Sequence, residues 1–376
     1  MTDSIRTLVL GAGIVGRAAA WDLKRRGHRV TVGDADGSAA QHVAKSFGLD
    51  AMTLDATDRS AVAAAMGTHD AVVSAVPYSY GVALATEAIA AGCHYFDFGG
   101  NPTIVKQQIG MNDDAVARGV AIVPDCGLAP GVANVMAAGL IAEAGSDPVD
   151  SVQIRVGCLP QEPRGSLNYQ LAFYPGGLIN EYAEPCEVIS EGKAITVDPL
   201  ARFEEVEWDR WGPLEAFSTA GGTSTMCQDY EGSVGELEYK TLRYPGHGRV
   251  FRAMRELGLF TEELRSFGEV ELAPRTMLLD LLAEHLPAGE PDVVLVRVVA
   301  TVGNAQTMLQ MEDVHDGTFS ALARTTAFPA TALCDLITRG LVTFRGAGAM
   351  SSVAPAGPLL AELEQVGVTA VRSTRI

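Results

Sequence analysis

Short apolar runs alternate with amphipathic, alanine-rich stretches along the first 130 residues. Residues 6–10 make a short, mostly apolar strand. Residues 16–26 carry a helical pattern that stops at Gly27, and residues 29–32 form a second strand that ends at Gly33-Asp34. Further apolar runs at 51–54, 71–76, 95–98 and 120–123 are separated by helical sequence. Strand and helix periods alternating in this way predict βαβ units and a parallel sheet. Each run ends in turn or polar residues: Asp55, Pro77, Gly99-Gly100-Asn101 and Pro124-Asp125. In such sheets ligands bind beyond the carboxyl ends of the strands, so chemistry is expected there.

The pattern changes after Pro130. Residues 132–144 read as a helix leaving the first domain. Strands are expected at 151–159, 186–197 and 237–241, the last followed by the turn Tyr244-Pro245-Gly246-His247. Residues 251–257 and 275–285 read as helices. Runs at 293–302 and 305–314 predict an antiparallel pair across Gly303-Asn304. The tail at 318–340 is helical, contains Pro329, and is expected to pack back on the first domain. The expected fold class is α/β: an N-terminal Rossmann doubly wound parallel sheet, a second α+β domain, and a C-terminal helix returning to the first. The expected domains are 1–130, 131–317 and 318–376.

Composition removes several classes. The 376 residues are 47% apolar and 20% charged, enough to bury a core without disulfides. With 28 Lys and Arg against 46 Asp and Glu, the net charge is −18. An acidic surface excludes nucleic acid and anionic membrane as partners. The N-terminus lacks a basic region followed by a hydrophobic core, so no secretory signal is expected. No uncharged apolar run reaches about 18 residues, and the nearest, at 292–302, is broken by Arg297. Six scattered cysteines without a C-x-x-C pair read as reduced thiols of a cytoplasmic protein, with no metal site.

The strongest motif is Gly11-Ala12-Gly13-Ile14-Val15-Gly16, which follows a strand and opens a helix. Gly11 permits the tight turn, Gly13 the approach of a pyrophosphate, and Gly16 close packing of helix on sheet. Exposed amides at the positive helix end hold phosphates. Asp34, ending the next strand, can accept from both ribose hydroxyls and would repel a 2′-phosphate. No arginine follows it in Ala35-Asp36-Gly37, so NAD is expected rather than NADP. Asp55 reads either as an adenine-side contact or as a helix cap with Asp58. The turn Ala75-Val76-Pro77, at the end of the fourth run, completes the expected cofactor site.

Four segments carry a family resemblance: Gly127-Leu128-Ala129-Pro130-Gly131-Val132-Ala133-Asn134, Gly177-Leu178-Ile179-Asn180-Glu181-Tyr182, Gly221-Gly222-Thr223-Ser224-Thr225, and Tyr239-Lys240-Thr241-Leu242-Arg243-Tyr244-Pro245-Gly246-His247. In family order, they resemble the saccharopine dehydrogenase-like family. The resemblance implies an oxidoreductase that acts on a carbon–nitrogen bond of an amino acid, an inserted substrate domain, and a homodimer. Saccharopine reductases usually have Leu-Asp-Pro-Gly where this chain has Leu128-Ala129-Pro130-Gly131. That form is more similar to the lysine 6-dehydrogenase branch, which oxidises the ε-amine of L-lysine with NAD.

Such a reaction needs a base near the nicotinamide. Asp97, at the end of the fifth run, lies where the resemblance places substrate-site acids. It reads equally as a brace for the loop after it. Cys126, at the sixth strand end, reads as a small buried residue that the resemblance raises to a site-lining one. Arg243 can bind a substrate carboxylate through two parallel hydrogen bonds. Tyr244 and His247 share its turn, with His247 as a proton carrier or a plain turn residue. Asn180, Glu181 and Tyr182 face a substrate ammonium, or form a polar strand end. Two other readings stand beside the amino-acid dehydrogenase. One is an enzyme that reduces an imine to a saccharopine-like or carboxyspermidine-like secondary amine. The other is a non-catalytic NAD-binding sensor.

Overall fold

A computed structural model describes residues 4–375. The chain forms two compact units: one from the N-terminal part through Glu143 with Ala323–Ala370, the other from Ala144–Leu322 with the stretch beginning at Val371.

The first unit is built on β1 (Arg6–Leu10), β2 (Arg29–Asp34), β3 (Asp50–Thr53), β4 (Ala71–Ser74), β5 (His94–Asp97) and β6 (Ala121–Val123). The sheet runs Gly346–Ala347, β6, β5, β4, β1, β2, β3, and the pairing is parallel throughout. Order reverses between β1 and β4, which opens a crevice at their carboxyl ends. Leu8, Val9, Leu10, Val72, Val73, Tyr95, Phe96 and Ile122 are fully buried. That follows from a parallel sheet covered on both faces, and explains apolar runs without alternation. Helix Ile14–Arg25 turns Ala18, Ala19, Ala20 and Leu23 inward and starts on Gly13. Asp58 caps helix Arg59–Met66, and Asn101 caps helix Pro102–Ile109 ahead of a proline in its first turn.

The C-terminal segment packs back on this unit. Helix Ala321–Thr338 contributes Thr331, whose hydroxyl donates to Asp22 at 2.6 Å. Asp22 is wholly buried and also accepts from Arg25 at 2.9 Å and Arg26 at 2.7 Å. Arg26 reaches Glu362 at 2.7 Å, and Asp335 bonds His28 at 2.8 Å and Arg339 at 2.5 Å.

The units divide the chain elsewhere than at 130 and 317. Helix Val132–Glu143 stays in the first unit because most of its surface is apolar and covered. Strand Ala370–Arg375 joins the second sheet, so the tail does not belong to the first unit throughout.

The second unit is a mixed sheet centred on Val149–Pro160, parallel to Val234–Arg243 on one side and antiparallel to Asp292–Val302 on the other. Leu214–Ser218 and Glu204–Val206 extend the first side, Ala305–Val314 and Ala370–Arg375 the second. The pair Asp292–Val302 and Ala305–Val314 turns at Gly303-Asn304. The single strand expected at 186–197 is a hairpin, Cys186–Ser190 and Lys193–Val197. Glu191 and Gly192 between them have φ of 52° and 77°, as a two-residue hairpin turn demands. Asn180, Glu181 and Tyr182 lie on a helix, Pro175–Ala183, not at a strand end, because Pro175 opens its first turn and Leu178, Ile179 and Tyr182 form a buried helical face.

The Asp22 network generates a prediction. Asp22→Ala removes one of the two carboxylates bonded to the buried Arg26, Glu362 remaining, which costs about 1–3 kcal/mol. Urea unfolding should show a clear fall in midpoint. Loss of the exposed Arg29–Asp50 pair, through Asp50→Ala, should leave the midpoint almost unmoved.

Candidate functional site

The glycine turn is fixed by contact distances. Gly11 has φ of 98°, and a Cβ there would stand 2.7 Å from the Ala75 carbonyl oxygen. A Cβ on Gly16 would stand 1.9 Å from the Gly11 carbonyl oxygen. Gly13 differs: a Cβ would meet nothing within 4 Å, and it and Ile14 are exposed. The missing side chain leaves open backbone at the head of helix Ile14–Arg25, whose first turn holds no acidic residue. Val15 continues that turn. These features fit a dinucleotide pyrophosphate. Asp34 braces the loop, accepting from the Ala12 amide at 2.7 Å and the Asp36 amide at 2.9 Å. A carboxylate has about four acceptor positions, so it retains capacity for ribose hydroxyls. Ala75 ties the turn down, its amide donating to Leu10 O at 2.7 Å, with Val76 and Pro77 following.

Asp55 is exposed and turned onto its own loop, accepting from the amide and hydroxyl of Thr57 at 2.8 Å each. Those bonds hold its carboxyl below the usual range. The helix cap is Asp58.

At the end of β5, Asp97 is buried and accepts from Gly99 N at 2.9 Å and Gln108 Nε2 at 2.6 Å. Burial pushes its carboxyl up, while these donors hold it down. Asp97 therefore braces the loop and is also a carboxyl kept out of water. Gln108 was not legible in sequence. It lies eleven residues on, on the helix the loop leads into, and its Oε1 is buried without a partner. Asp125, another buried acid, lies so close to Gly99 that any Cβ there would collide with its Oδ1. Cys126 is fully buried, its Sγ 3.1 Å from Val123 O. Burial and the neighbouring Asp97 push the thiol well up, which disfavours the thiolate.

In the second unit three of the four signature segments converge. Ala220 N, beside the Gly221-Gly222 turn, donates to Glu181 O at 2.9 Å. Gly222 packs so closely on the Tyr239 ring that a Cβ would overlap it. Arg243, ending strand Val234–Arg243, is only 3% exposed. Its Nε donates to the Tyr182 hydroxyl at 3.0 Å and its Nη1 to Leu242 O at 3.0 Å, with the guanidinium carbon 5.2 Å from the Tyr169 ring centre. No carboxylate among the described residues lies within ion-pair distance of it. Glu181 is the nearby acid, half-buried; burial pushes its carboxyl up to about 7, with the charge of Arg243 acting against that.

His247 is 1% exposed, with Nε2 3.0 Å from the Tyr182 hydroxyl and Nδ1 3.0 Å from Leu167 O. Burial and the positive charge of Arg243 hold its pKa down to about 3. A ring held neutral between these two partners is placed as a hydrogen-bond acceptor toward Tyr182. Glu215 sets the turn by accepting from Gly246 N at 3.0 Å and Gly248 N at 2.6 Å. Two expected substrate residues are engaged elsewhere. Tyr244 donates to Pro160 O at 2.9 Å and packs against the buried cluster that contains Trp208, while the Asn180 amide oxygen accepts from Arg275. Tyr169 and Glu215 belong to the cluster but gave no motif in sequence.

Together these features define a pyridine-nucleotide-binding protein of the Rossmann class, with a second unit built around a buried arginine. Residues 7–123 match the model for the saccharopine dehydrogenase NADP binding domain, and residues 127–368 that for the saccharopine dehydrogenase C-terminal domain. The chain belongs to the saccharopine dehydrogenase family. It is 25% identical over 314 residues to saccharopine dehydrogenase [NADP(+), L-glutamate-forming] of Saccharomyces cerevisiae, covering 81% of this chain and 68% of that protein. The Schizosaccharomyces pombe protein of the same name is 23% identical over 270 residues, 69% of this chain and 59% of its own. Alpha-aminoadipic semialdehyde synthase of Arabidopsis thaliana is 25% identical over 226 residues, 57% of this chain. The chain spans 21% of that plant protein's length. The structure of apo saccharopine dehydrogenase (L-Glu forming) from S. cerevisiae shares the fold, with a TM-score of 0.82 at 18% identity, covering 99% of this chain and 100% of that one. No helix among the described residues is long and apolar enough to cross a membrane.

Gly13 separates folding from binding. Gly13→Leu has room in the protein, so its melting temperature should match the natural chain. Calorimetric titration with NAD or NADP should show affinity reduced tenfold or more, because the side chain fills the phosphate approach.

Proposed function

We propose that the chain is an NAD-dependent dehydrogenase acting on the CH–NH2 group of an amino acid, and that the amino acid is L-lysine, oxidised at its ε-carbon. The observation that carries this reading is Arg243: a buried guanidinium with no carboxylate partner, beside an acid of raised pKa. A buried cation is costly unless paired, so the site is complementary to an anion such as a substrate carboxylate. Glu181 supplies the opposite charge for the α-ammonium. Two complementary charges on one substrate describe an α-amino acid.

In the reaction, L-lysine, NAD and water give 2-aminoadipate 6-semialdehyde, ammonia, NADH and a proton, and the aldehyde cyclises to piperideine-6-carboxylate. The nicotinamide, when bound, accepts the hydride. Gly11, Gly13, Gly16 and the amides heading helix Ile14–Arg25 hold the dinucleotide, and Asp34 holds its ribose. Asp97 takes the amine proton: its carboxyl, raised by burial, is a stronger base than an exposed one. Arg243 and Glu181, within the second unit, carry the charges complementary to an α-carboxylate and an α-ammonium.

Asp34 supports NAD over NADP, although the relatives' names carry NADP(+). Asp34→Ala combined with Ala35→Arg removes a repelling charge and adds a phosphate partner. The ratio of kcat/KM values for NAD and NADP should move at least tenfold toward NADP. A natural chain that already prefers NADP sinks the assignment.

The relatives' names favour a second reading, a saccharopine dehydrogenase that forms L-glutamate. Ala129, in place of the usual aspartate, speaks against it. The deciding assay follows absorbance of reduced nucleotide with L-lysine, cadaverine and saccharopine. L-Lysine should give NADH, and Arg243→Ala should raise its KM about 100-fold. Arg243→Lys should recover only part, because the two-pronged geometry is lost. Cadaverine, which lacks the carboxylate, should be a poor substrate for the natural chain and insensitive to the change at Arg243. Reduced nucleotide with saccharopine and none with L-lysine supports the second reading.

A further inference from the structure

The hydrogen bonds from Arg243 through Tyr182 and His247 to Leu167 can run in only one direction. A carbonyl oxygen accepts and never donates, so the His247 nitrogen facing Leu167 O at 3.0 Å, Nδ1, carries the hydrogen. In a neutral ring Nε2 is then the acceptor, and the Tyr182 hydroxyl 3.0 Å away must donate to it. That leaves the Tyr182 oxygen to accept from Arg243 Nε, also at 3.0 Å. Every hydrogen in the series is assigned, and reversing any one breaks a bond.

The series is rigidly housed. The His247 ring stacks on Phe251, with centroids 4.6 Å apart, and meets Tyr169 edge-on at 5.1 Å. Tyr182 is wedged between Phe251 and Phe217, at 5.0 and 5.7 Å. The polar groups facing the imidazole are Tyr182, Tyr169, Leu167 O and, beyond the tyrosine, Arg243. Protonating His247 would set a second N–H against the Tyr182 hydroxyl and a positive charge near Arg243. The lowered pKa of about 3 agrees with that cost.

A guanidinium has five N–H donors. Two are committed, through Nε to Tyr182 and through Nη1 to Leu242 O. We propose that Tyr182 and His247 are positioning residues, whose one-way hydrogen bonds hold the Arg243 fork in a single orientation, with its remaining donors preset for a substrate carboxylate. The proposal rests on the assignment of Arg243 as the carboxylate anchor. It gives His247 the role of a fixed acceptor that acts through tyrosine and arginine.

Two measurements on the full chain test it. The first needs no substrate. In nitrogen-15 spectra of histidine-labelled protein, with His247 assigned by its loss in His247→Gln, the ring should be the neutral Nδ1–H tautomer from pH 8 to about pH 4.5. Tyr182→Phe should shift its Nε2 resonance, since that nitrogen loses its donor. An Nε2–H tautomer, or titration between pH 6 and 7, overturns the proposal. The second is kinetic. Tyr182→Phe should raise KM for L-lysine about tenfold, with the loss concentrated in KM and not in kcat. His247→Phe keeps the stacked ring but cannot accept, and should behave like Tyr182→Phe. His247→Gln offers an acceptor oxygen and should recover most of the affinity. Equal loss in the Gln and Phe variants, or loss confined to kcat, overturns the proposal. A natural chain inert toward L-lysine sinks the substrate assignment, and the tautomer then decides the hydrogen-bond series by itself.

Discussion

The approach of helix Ile14–Arg25 to the turn after β1 is the constraint on which the first unit depends. Gly16 lies against the Gly11 carbonyl and Gly11 against the Ala75 carbonyl, so the helix head, the first strand and the end of β4 meet with only the Ala75 methyl beside the backbone contact. That contact sets the crevice where strand order reverses and aims the open amides of the helix into it. Asp34 continues the bracing by gripping the Ala12 amide. A nucleotide site thus emerges from backbone sterics before any ligand-specific side chain is considered.

The second unit is organised by the opposite problem, that of housing a charge in an aromatic core. Arg243 sits among Tyr169, Tyr182 and the His247 ring, and its charge is felt by every ionisable neighbour. It lowers the pKa of the imidazole and opposes the rise of the Glu181 carboxyl. Two raised carboxyls therefore have different surroundings. Asp97 is satisfied by amide donors, whereas Glu181 is governed by burial and by the charge of Arg243 beyond ion-pair distance.

Much of the fold was legible in the sequence, because a parallel sheet covered on both faces writes each strand as an unbroken apolar run. The glycine motif was legible because Gly11 and Gly16 sit at distances that no other residue tolerates. Less visible were features fixed by partners far along the chain. Asp22 looks like an ordinary polar position on an amphipathic helix until Thr331 arrives beside it, 309 residues later. The break at Glu191-Gly192 is hidden because apolar residues continue on both sides of a two-residue turn. At the candidate site Arg243 and Glu181 stood out by charge and segment. The sorting of Tyr182 and His247 from Tyr244 and Asn180 depends on which way each side chain leaves its element, and spacing does not encode that. The role of Gln108 depends on a helix folding back over the end of β5.

The sheet of the first unit gains its seventh strand, Gly346–Ala347, only after Ala144–Leu322, all of the second unit but its last strand, has been made. During synthesis β6 therefore emerges as an uncovered edge and waits more than two hundred residues for its neighbour. At ordinary translation speeds of roughly 5–20 residues per second, that interval lasts on the order of ten seconds or more. An unpaired edge of apolar strand is a template for misassociation. The ribosome-bound intermediate of this protein is thus a vulnerable species, in which the first sheet still lacks the strand that covers β6 and the second still awaits Ala370–Arg375.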